Sequence, residues 1–425
     1  MSSALAVGID VGTSGARAVA MTTELTVVAQ ASASMKDFGD DWRSPAGGWK
    51  AVECALDRVL ASVDSRQVGA LAVDGTSGTV LPVDHDGKPL AGALMYNDPV
   101  DDQAVLGAIK KYAPAESAAH GATSGLAKFI RFQSVPKPCR ILHQADWIAA
   151  QFSGRFEVSD ENNALKTGYD PVARSWPDWI GRTGADAALF PEVVAPGTPV
   201  GTVTAAAAAR FGFSRGTVVA AGTTDGCASF MATGASQPGD GVTALGSSLT
   251  VKLLSDRPIF APRYGIYSHR IGDGWLAGGA SNTGGKVLAH FFSTGQIADL
   301  SKSINATAPT GLDYYPLLAK GERFPVSDPD MQPRLSPRPA SDVAFLAGML
   351  EGIAAIEALA YARLGELGAP KLRSIRSVGG GARNPVWRDM RQARLGVPFV
   401  AALSEEAATG TARLALQGGH QAGVF

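Results

Sequence analysis

The sequence predicts an α/β protein of two domains, and three observations carry that expectation. The chain has 425 residues, more than one ordinary hydrophobic core holds at roughly 100–200 residues per domain. Its 50 glycines gather in short clusters that follow apolar runs and precede helix-like segments, as the loops of α/β nucleotide-binding folds do. A strand–glycine loop–strand pattern also occurs twice, over 7–20 and again over 241–254.

The elements follow in order. Residues 5–9 and 16–21 are apolar strands around Gly12-Thr13-Ser14-Gly15, so 5–30 reads as a hairpin and meander. Over 48–64, Trp49, Val52, Ala55, Leu56, Val59 and Leu60 recur at helical spacing. Residues 69–73 form a strand into a second Gly-Thr-Ser-Gly at 75–78, and 79–83 a strand out of it. His85–Lys88 is a turn with Asp86-Gly87 as its hairpin signal. Helical patterns fill 141–152 and parts of 217–236, with 217–221 a buried strand ending at Gly222-Thr223-Thr224-Asp225-Gly226. The chain breaks at Gln237–Asp240, which sets the expected domains at 1–237 and 238–425. When Gly12–Ser14 is aligned on Gly246–Ser248, Asp10 has Ala244 as its counterpart, so only the first loop brings a carboxylate. Residues 321–340 are proline-rich and irregular; Ser341 caps a helix to about Leu367, ended by Gly368 and Pro370. Residues 374–378 form a strand and 385–395 a helix.

Composition excludes several functions. A net charge of −1 with no like-charge block argues against nucleic acid or an anionic membrane surface as partner. Cys54, Cys139 and Cys227 have no pair spacing and the six histidines stand alone, against a disulfide framework or a thiolate zinc site. No signal-like start is present, and the apolar runs read as shorter than the roughly 18 residues of a membrane span, so a cytoplasmic, reducing location is expected. Oligomeric state is not encoded in any of these features.

Six stretches could carry chemistry, each with a plainer alternative. The turn at 10–17 offers backbone amides and the hydroxyls of Thr13 and Ser14 to an anion, with Asp10 acting through a metal or water and Arg17 meeting charge; it could equally be a tight hairpin. Asp225 starts a helix, where it is an N-cap or a general base. The loops 245–250 and 278–285 suit a nucleotide or a bulge. Gly379-Gly380-Gly381 lets backbone approach a flat ligand, and Asn384 offers an amide to a purine or caps the next helix. Met95-Tyr96-Asn97-Asp98 suits a polyol or a solvent turn.

In order along the chain, GIDVGTSGARA (8–18), GTTDG (222–226), LGSS (245–248), GERFP (321–325) and VGGGARNPVW (378–387) resemble the landmarks of the FGGY carbohydrate kinases, within the actin and hexokinase superfamily. The resemblance implies two ribonuclease H-like domains with a cleft, and ATP with Mg²⁺ as cofactors. It implies that Asp225 deprotonates the terminal hydroxyl of a sugar held by Asp10, Thr13, Ser14, Ser77 and Asp98. Asp10 would hold the metal through water. Gly12, Thr13, Ser14 and Arg17 would cradle the phosphates, and Gly246, Ser247, Gly279, Gly380, Gly381 and Asn384 the ADP part. Glycerol kinases carry an Arg soon after the equivalent of Asp98, where this chain has Pro99, Val100 and Asp101. Bacterial xylulose kinases carry Met-His where this chain has Thr76-Ser77-Gly78. D-ribulose is therefore favoured as acceptor over D-xylulose, which differs only at C3. A non-sugar ATPase of the actin or chaperone type is the alternative from another class.

Overall fold

The computed structural model describes residues 4–425; the first three residues of the expected N-terminal domain lie outside the described residues. The chain divides into two compact units. The first comprises Met1–Ala232, His269–Gly272 and Glu406–Phe425, and the second Thr233–Ser268 and Asp273–Glu405.

The first unit is built on strands β1 (Leu5–Val11), β2 (Gly15–Thr22), β3 (Val27–Ser34), β4 (Val68–Gly75), β5 (Pro199–Thr202) and β6 (Val218–Thr224), in the sheet order β3-β2-β1-β4-β6-β5. The first three strands are antiparallel, whereas β1, β4 and β6 run parallel. In β1 the large residues Leu5, Val7, Ile9 and Val11 alternate with the small Ala6 and Gly8. Successive side chains of a strand point to opposite faces. The large set packs with Ala51, Val52, Ala55, Leu56 and Val59 of helix α1 (Pro45–Leu60). On the other face Ala6, Ala70, Ala72 and Ala220 meet Ala412, Leu414 and Ala415 of a C-terminal helix, Ala407–Gln421.

That C-terminal helix explains the main departure from the expected domains. Residues 406–425 were assigned to the second domain, yet they complete the first unit's core. A Cβ on Gly8 would lie 2.0 Å from Ala408 O, and one on Gly410 1.9 Å from Ala228 O. The helix thus needs glycine on both sides of its approach, and no larger residue fits. Three further helices matter below: α2 (Gly125–Phe132), α3 (Gln144–Ser153) and α4 (Asp225–Ala232). The expected helix over 141–152 begins later, because Arg140–His143 is a strand paired with Val80–Val83.

The second unit contains β7 (Asp240–Leu245), β8 (Leu249–Ser255), β9 (Gly274–Ala280) and β10 (Ser374–Val378), in the order β9-β8-β7-β10. The antiparallel β7–β8 hairpin with β10 parallel beside β7 repeats the arrangement of β1, β2 and β4. Helix α5 (Asp342–Glu366) starts at Ser341, whose hydroxyl accepts from Ala344 N at 3.3 Å, and stops before Gly368 at φ +100°. At 25 residues it is long and apolar enough to cross a membrane, contrary to the short runs expected from sequence. Its Phe345, Leu346, Met349, Leu350, Ile353 and Ile356 are buried in the unit's core. Glu357 of α5 makes a fully buried two-point ion pair with Arg391 of helix α6 (Pro385–Leu395), at 2.6 and 2.7 Å. The C-terminal helix, Ala407–Gln421, is α7.

Candidate active site

Three parallel strands of the first unit end side by side, and each delivers an aspartate or leads into one. Asp10 of β1 is the register partner of Asp74 of β4, which in turn pairs with Thr223 of β6. Two residues on, Asp225 opens α4. A register shift in β6 after Ala220 accompanies Gly222, where a Cβ would lie 1.6 Å from Val73 O. Ligand sites of parallel α/β sheets form at such carboxyl ends.

Asp10 and Asp74 occupy even positions, on the face covered by α7 rather than the α1 face. Asp10 is 4% exposed and accepts from Arg17 across the β1–β2 ladder at 2.8 Å. Arg17 also faces Glu406 at 3.6 Å. The hairpin closes through Gly12 N to Gly15 O at 3.0 Å. Ser14 is exposed and Thr13 half-buried, and among the described residues neither hydroxyl has a protein hydrogen-bond partner.

Asp74, which the sequence reading passed over, is fully buried with no cation on it. One carboxylate oxygen accepts from the Thr411 hydroxyl of α7, and the other has no partner. Burial, then the charge of Asp10, pushes its carboxyl well above the usual carboxylate range, with Asp225 adding to the effect. The signal was present as the aspartate preceding the second Gly-Thr-Ser-Gly. Thr411 carried no local signal, because only the tertiary fold brings it there.

The second Gly-Thr-Ser-Gly forms a turn of its own. Thr76 and Thr79 join through their hydroxyls at 2.6 Å, Gly78 sits at φ +84°, and the buried Ser77 hydroxyl has no partner. Lys128 of α2, also missed from sequence, is fully buried and donates to Gly78 O at 2.8 Å and Met95 O at 2.6 Å. Burial lowers its pKa to about 8, against the pull of Asp98. Lys166 reaches the same turn, with its Cδ 3.6 Å from an ideal Cβ on Gly78. Burial lowers its pKa too, and the charge of Asp225 opposes that.

Asp98 stands differently from its expected sugar contact. Both its oxygens bind the Arg43 guanidinium, at 2.7 and 3.0 Å, and one also accepts from Met95 N at 2.8 Å. The Arg43 hydrogen bonds hold Asp98 below the usual carboxylate range. It is a clasp for the turn at 95–98, and Arg43 was invisible to local reading because it lies 55 residues away. Asp225 accepts from Gly226 N at 2.6 Å at the start of α4.

In the second unit the expected nucleotide residues divide into two groups. Gly246, Ser247 and Gly380 present open backbone: a Cβ on Gly380 would meet nothing within 4 Å, and Gly246 and Ser247 are exposed. Gly279 and Gly381 answer to packing, since a Cβ would lie 2.6 Å from the Phe324 and Trp387 rings respectively. Asn384 caps α6, accepting from Trp387 N at 3.2 Å and donating to Ser301 Oγ at 2.8 Å, so its amide is committed within the fold rather than held out for a purine.

Residues 241–418 match the family model described as the FGGY family of carbohydrate kinases, C-terminal domain. That match places an FGGY C-terminal domain in residues 241–418. It is 27% identical over 269 residues to the xylulose kinase of Streptomyces rubiginosus, a match covering 60% of this chain and 55% of that relative. The chain thus spans about half the length of that curated relative. It is 22% identical to the gluconokinase of Bacillus subtilis, over 90% of this chain and 81% of that one. Its fold is that of a solved xyloylose kinase from Brucella ovis, with a TM-score of 0.85 at 22% identity, covering 98% of this chain and 91% of the other. The chain therefore shares the α/β fold of that solved kinase, in two compact units.

Proposed function

We propose that this chain is a sugar kinase that transfers the γ-phosphoryl group of ATP to the terminal hydroxyl of a ketopentose. The carrying observation is the row of carboxylates at three adjacent strand ends beside the unpartnered Ser77 hydroxyl. The all-oxygen character of these strand ends, with the Asp10 carboxylate at the first loop, suits a hard divalent cation such as Mg²⁺. Asp10 would hold it through water, and the ion would neutralise charge on the phosphates. Asp225 accepts the proton of the acceptor hydroxyl, aided by the positive end of α4. Thr13, Ser14 and the amides of 12–15 receive the phosphoryl oxygens, with Arg17 adding charge. Gly246, Ser247 and Gly380 offer backbone to the nucleotide.

D-ribulose is favoured on the sequence of the 74–79 turn together with the 95–98 turn. D-xylulose is the second reading, supported by the names of the curated relatives. The test is a coupled ADP-release assay on D-ribulose, D-xylulose, L-ribulose and glycerol, with the phosphorylated position read by NMR. No acceleration by any pentulose would defeat the ketopentose reading, and none by gluconate either would favour a non-sugar ATPase. Asp225→Asn is expected to lower kcat by roughly 10²–10⁴-fold while sugar binding, followed calorimetrically, survives. Near-normal turnover in that variant would remove the general-base role.

A further inference from the structure

Segment 161–167 is held by two ties, one to the end of β6 and one to His143 at the end of the Arg140–His143 strand. Asn162 Nδ2 donates to Thr223 Oγ1 at 2.9 Å, two residues before Asp225. Thr167 Oγ1 bonds His143 Nε2 at 3.1 Å, and the turn stops at Gly168 with φ +103°. The backbone on both sides of Lys166 is therefore fixed, and its side chain runs to the Ser77-Gly78 turn on one side and within the field of Asp225 on the other.

Lys128 and Lys166 face the same turn, and their charges disfavour each other. Their hydrogen bonding differs completely. Lys128 spends its donors on two backbone carbonyls. Among the described residues no side-chain hydrogen bond is made by the Lys166 ammonium, and the residue is half-buried. An ammonium has three donors and no acceptor, so those of Lys166 are left for solvent or a ligand oxygen. On the adjoining turn the buried Ser77 hydroxyl has no partner.

We propose that the Lys166 ammonium, together with the Ser77 hydroxyl, holds an oxygen of the acceptor beside Asp225, and that Lys166 is a specificity-determining residue. This rests on the kinase reading above and deepens it. The ligand atom is an oxygen that accepts hydrogen bonds, which a ketose carbonyl, a sugar hydroxyl or a sugar-acid carboxylate can supply. The sources differ in charge, and a cation placed here rewards the carboxylate most.

The experiment compares wild type, Lys166→Met and Lys166→Arg on D-ribulose, D-xylulose and gluconate, with KM measured separately for acceptor and ATP. For whichever acceptor the wild type uses, Lys166→Met raises acceptor KM at least tenfold and leaves ATP KM within twofold. Lys166→Arg, which keeps the charge, falls between. If gluconate is the preferred acceptor, the carboxylate is the recognised oxygen, and the loss in Lys166→Met is largest there. Should the methionine variant not fold, the arginine variant decides by the same KM split. An acceptor KM unchanged in both variants, or acceptor and ATP KM rising together, overturns the Lys166 assignment and leaves the kinase reading standing. A wild type that accelerates ADP release with none of the three acceptors overturns both.

Discussion

Lys128→Met tests how the acceptor turns are held. The substitution keeps the apolar stem and removes an ammonium bound to Gly78 O and Met95 O. Leaving each buried carbonyl without a donor costs about 1–3 kcal/mol. Against this, the wild type keeps a charge where burial opposes it. The fall from 10.5 to about 8 is equivalent to at most about 3 kcal/mol, and partial screening reduces that to about 1–2 kcal/mol. The balance at pH 7 is a net loss of about 1–3 kcal/mol. The pH dependence separates the two contributions. The folded lysine releases its proton near pH 8 and the unfolded one near 10.5, so between these values the unfolded state binds more protons and stability rises with pH. The penalty is fully present below pH 8 and gone above 10.5. The variant lacks this gain, so its deficit relative to wild type grows by about 1–2 kcal/mol from pH 7 to pH 10. Urea unfolding of both proteins at the two pH values measures it, and other titrating groups cancel in the comparison. A deficit that shrinks with pH, or a variant as stable as wild type at both, would refute the buried-staple account. Acceptor KM should rise in the variant as well, because both turns lose their common anchor.

Two further outcomes concern the C-terminal helix. Thr411→Val removes the hydroxyl bonded to buried Asp74 while keeping its shape; it should lower stability by about 1–3 kcal/mol in urea melts and lower kcat without changing ATP KM. Gly410→Ala places a methyl 1.9 Å from Ala228 O on α4. Because backbone faces backbone there, a loss of about 1–3 kcal/mol or more is expected by calorimetry, whereas Gly365→Ala, with open space around its Cβ, should be neutral or stabilising.

The fold was legible where the pattern is local. The alternation in Leu5–Val11, the Ser341 cap and the Gly368 stop each act over a few residues, and each stands where the spacing puts it. The 406–425 segment was misplaced because its signal is a run of small residues, Ala407-Ala408-Thr409-Gly410-Thr411-Ala412, which has meaning only opposite Gly8 and Ala228. The same division runs through the site. Asp10, Arg17 and Asp225 lie on local motifs. Lys128, Arg43 and Thr411 reach their partners from 33 to 337 residues away, and no window of sequence shows them. Asn384 and Asp98 were chemically apt for a ligand, but an apt side chain is often consumed by its own neighbours, here a helix cap and an arginine.

The two Gly-Thr-Ser-Gly turns show how one tetrapeptide acquires opposite electrostatics. After the first, the exit strand returns along β1, and antiparallel register places Arg17 directly on Asp10. After the second, Val80–Val83 leaves to pair with Arg140–His143, so nothing basic comes back to Asp74. Asp10 therefore lies against a half-exposed guanidinium, an arrangement that suits the proposed metal- and phosphate-binding loop. Asp74, enclosed beside two other carboxylates, is driven toward its protonated form. Its strand instead leads into a turn whose carbonyl is pinned by Lys128 and whose Ser77 hydroxyl is left unpartnered. The destination of the exit strand, not the motif, separates the proposed phosphate-facing turn from the proposed acceptor-facing one.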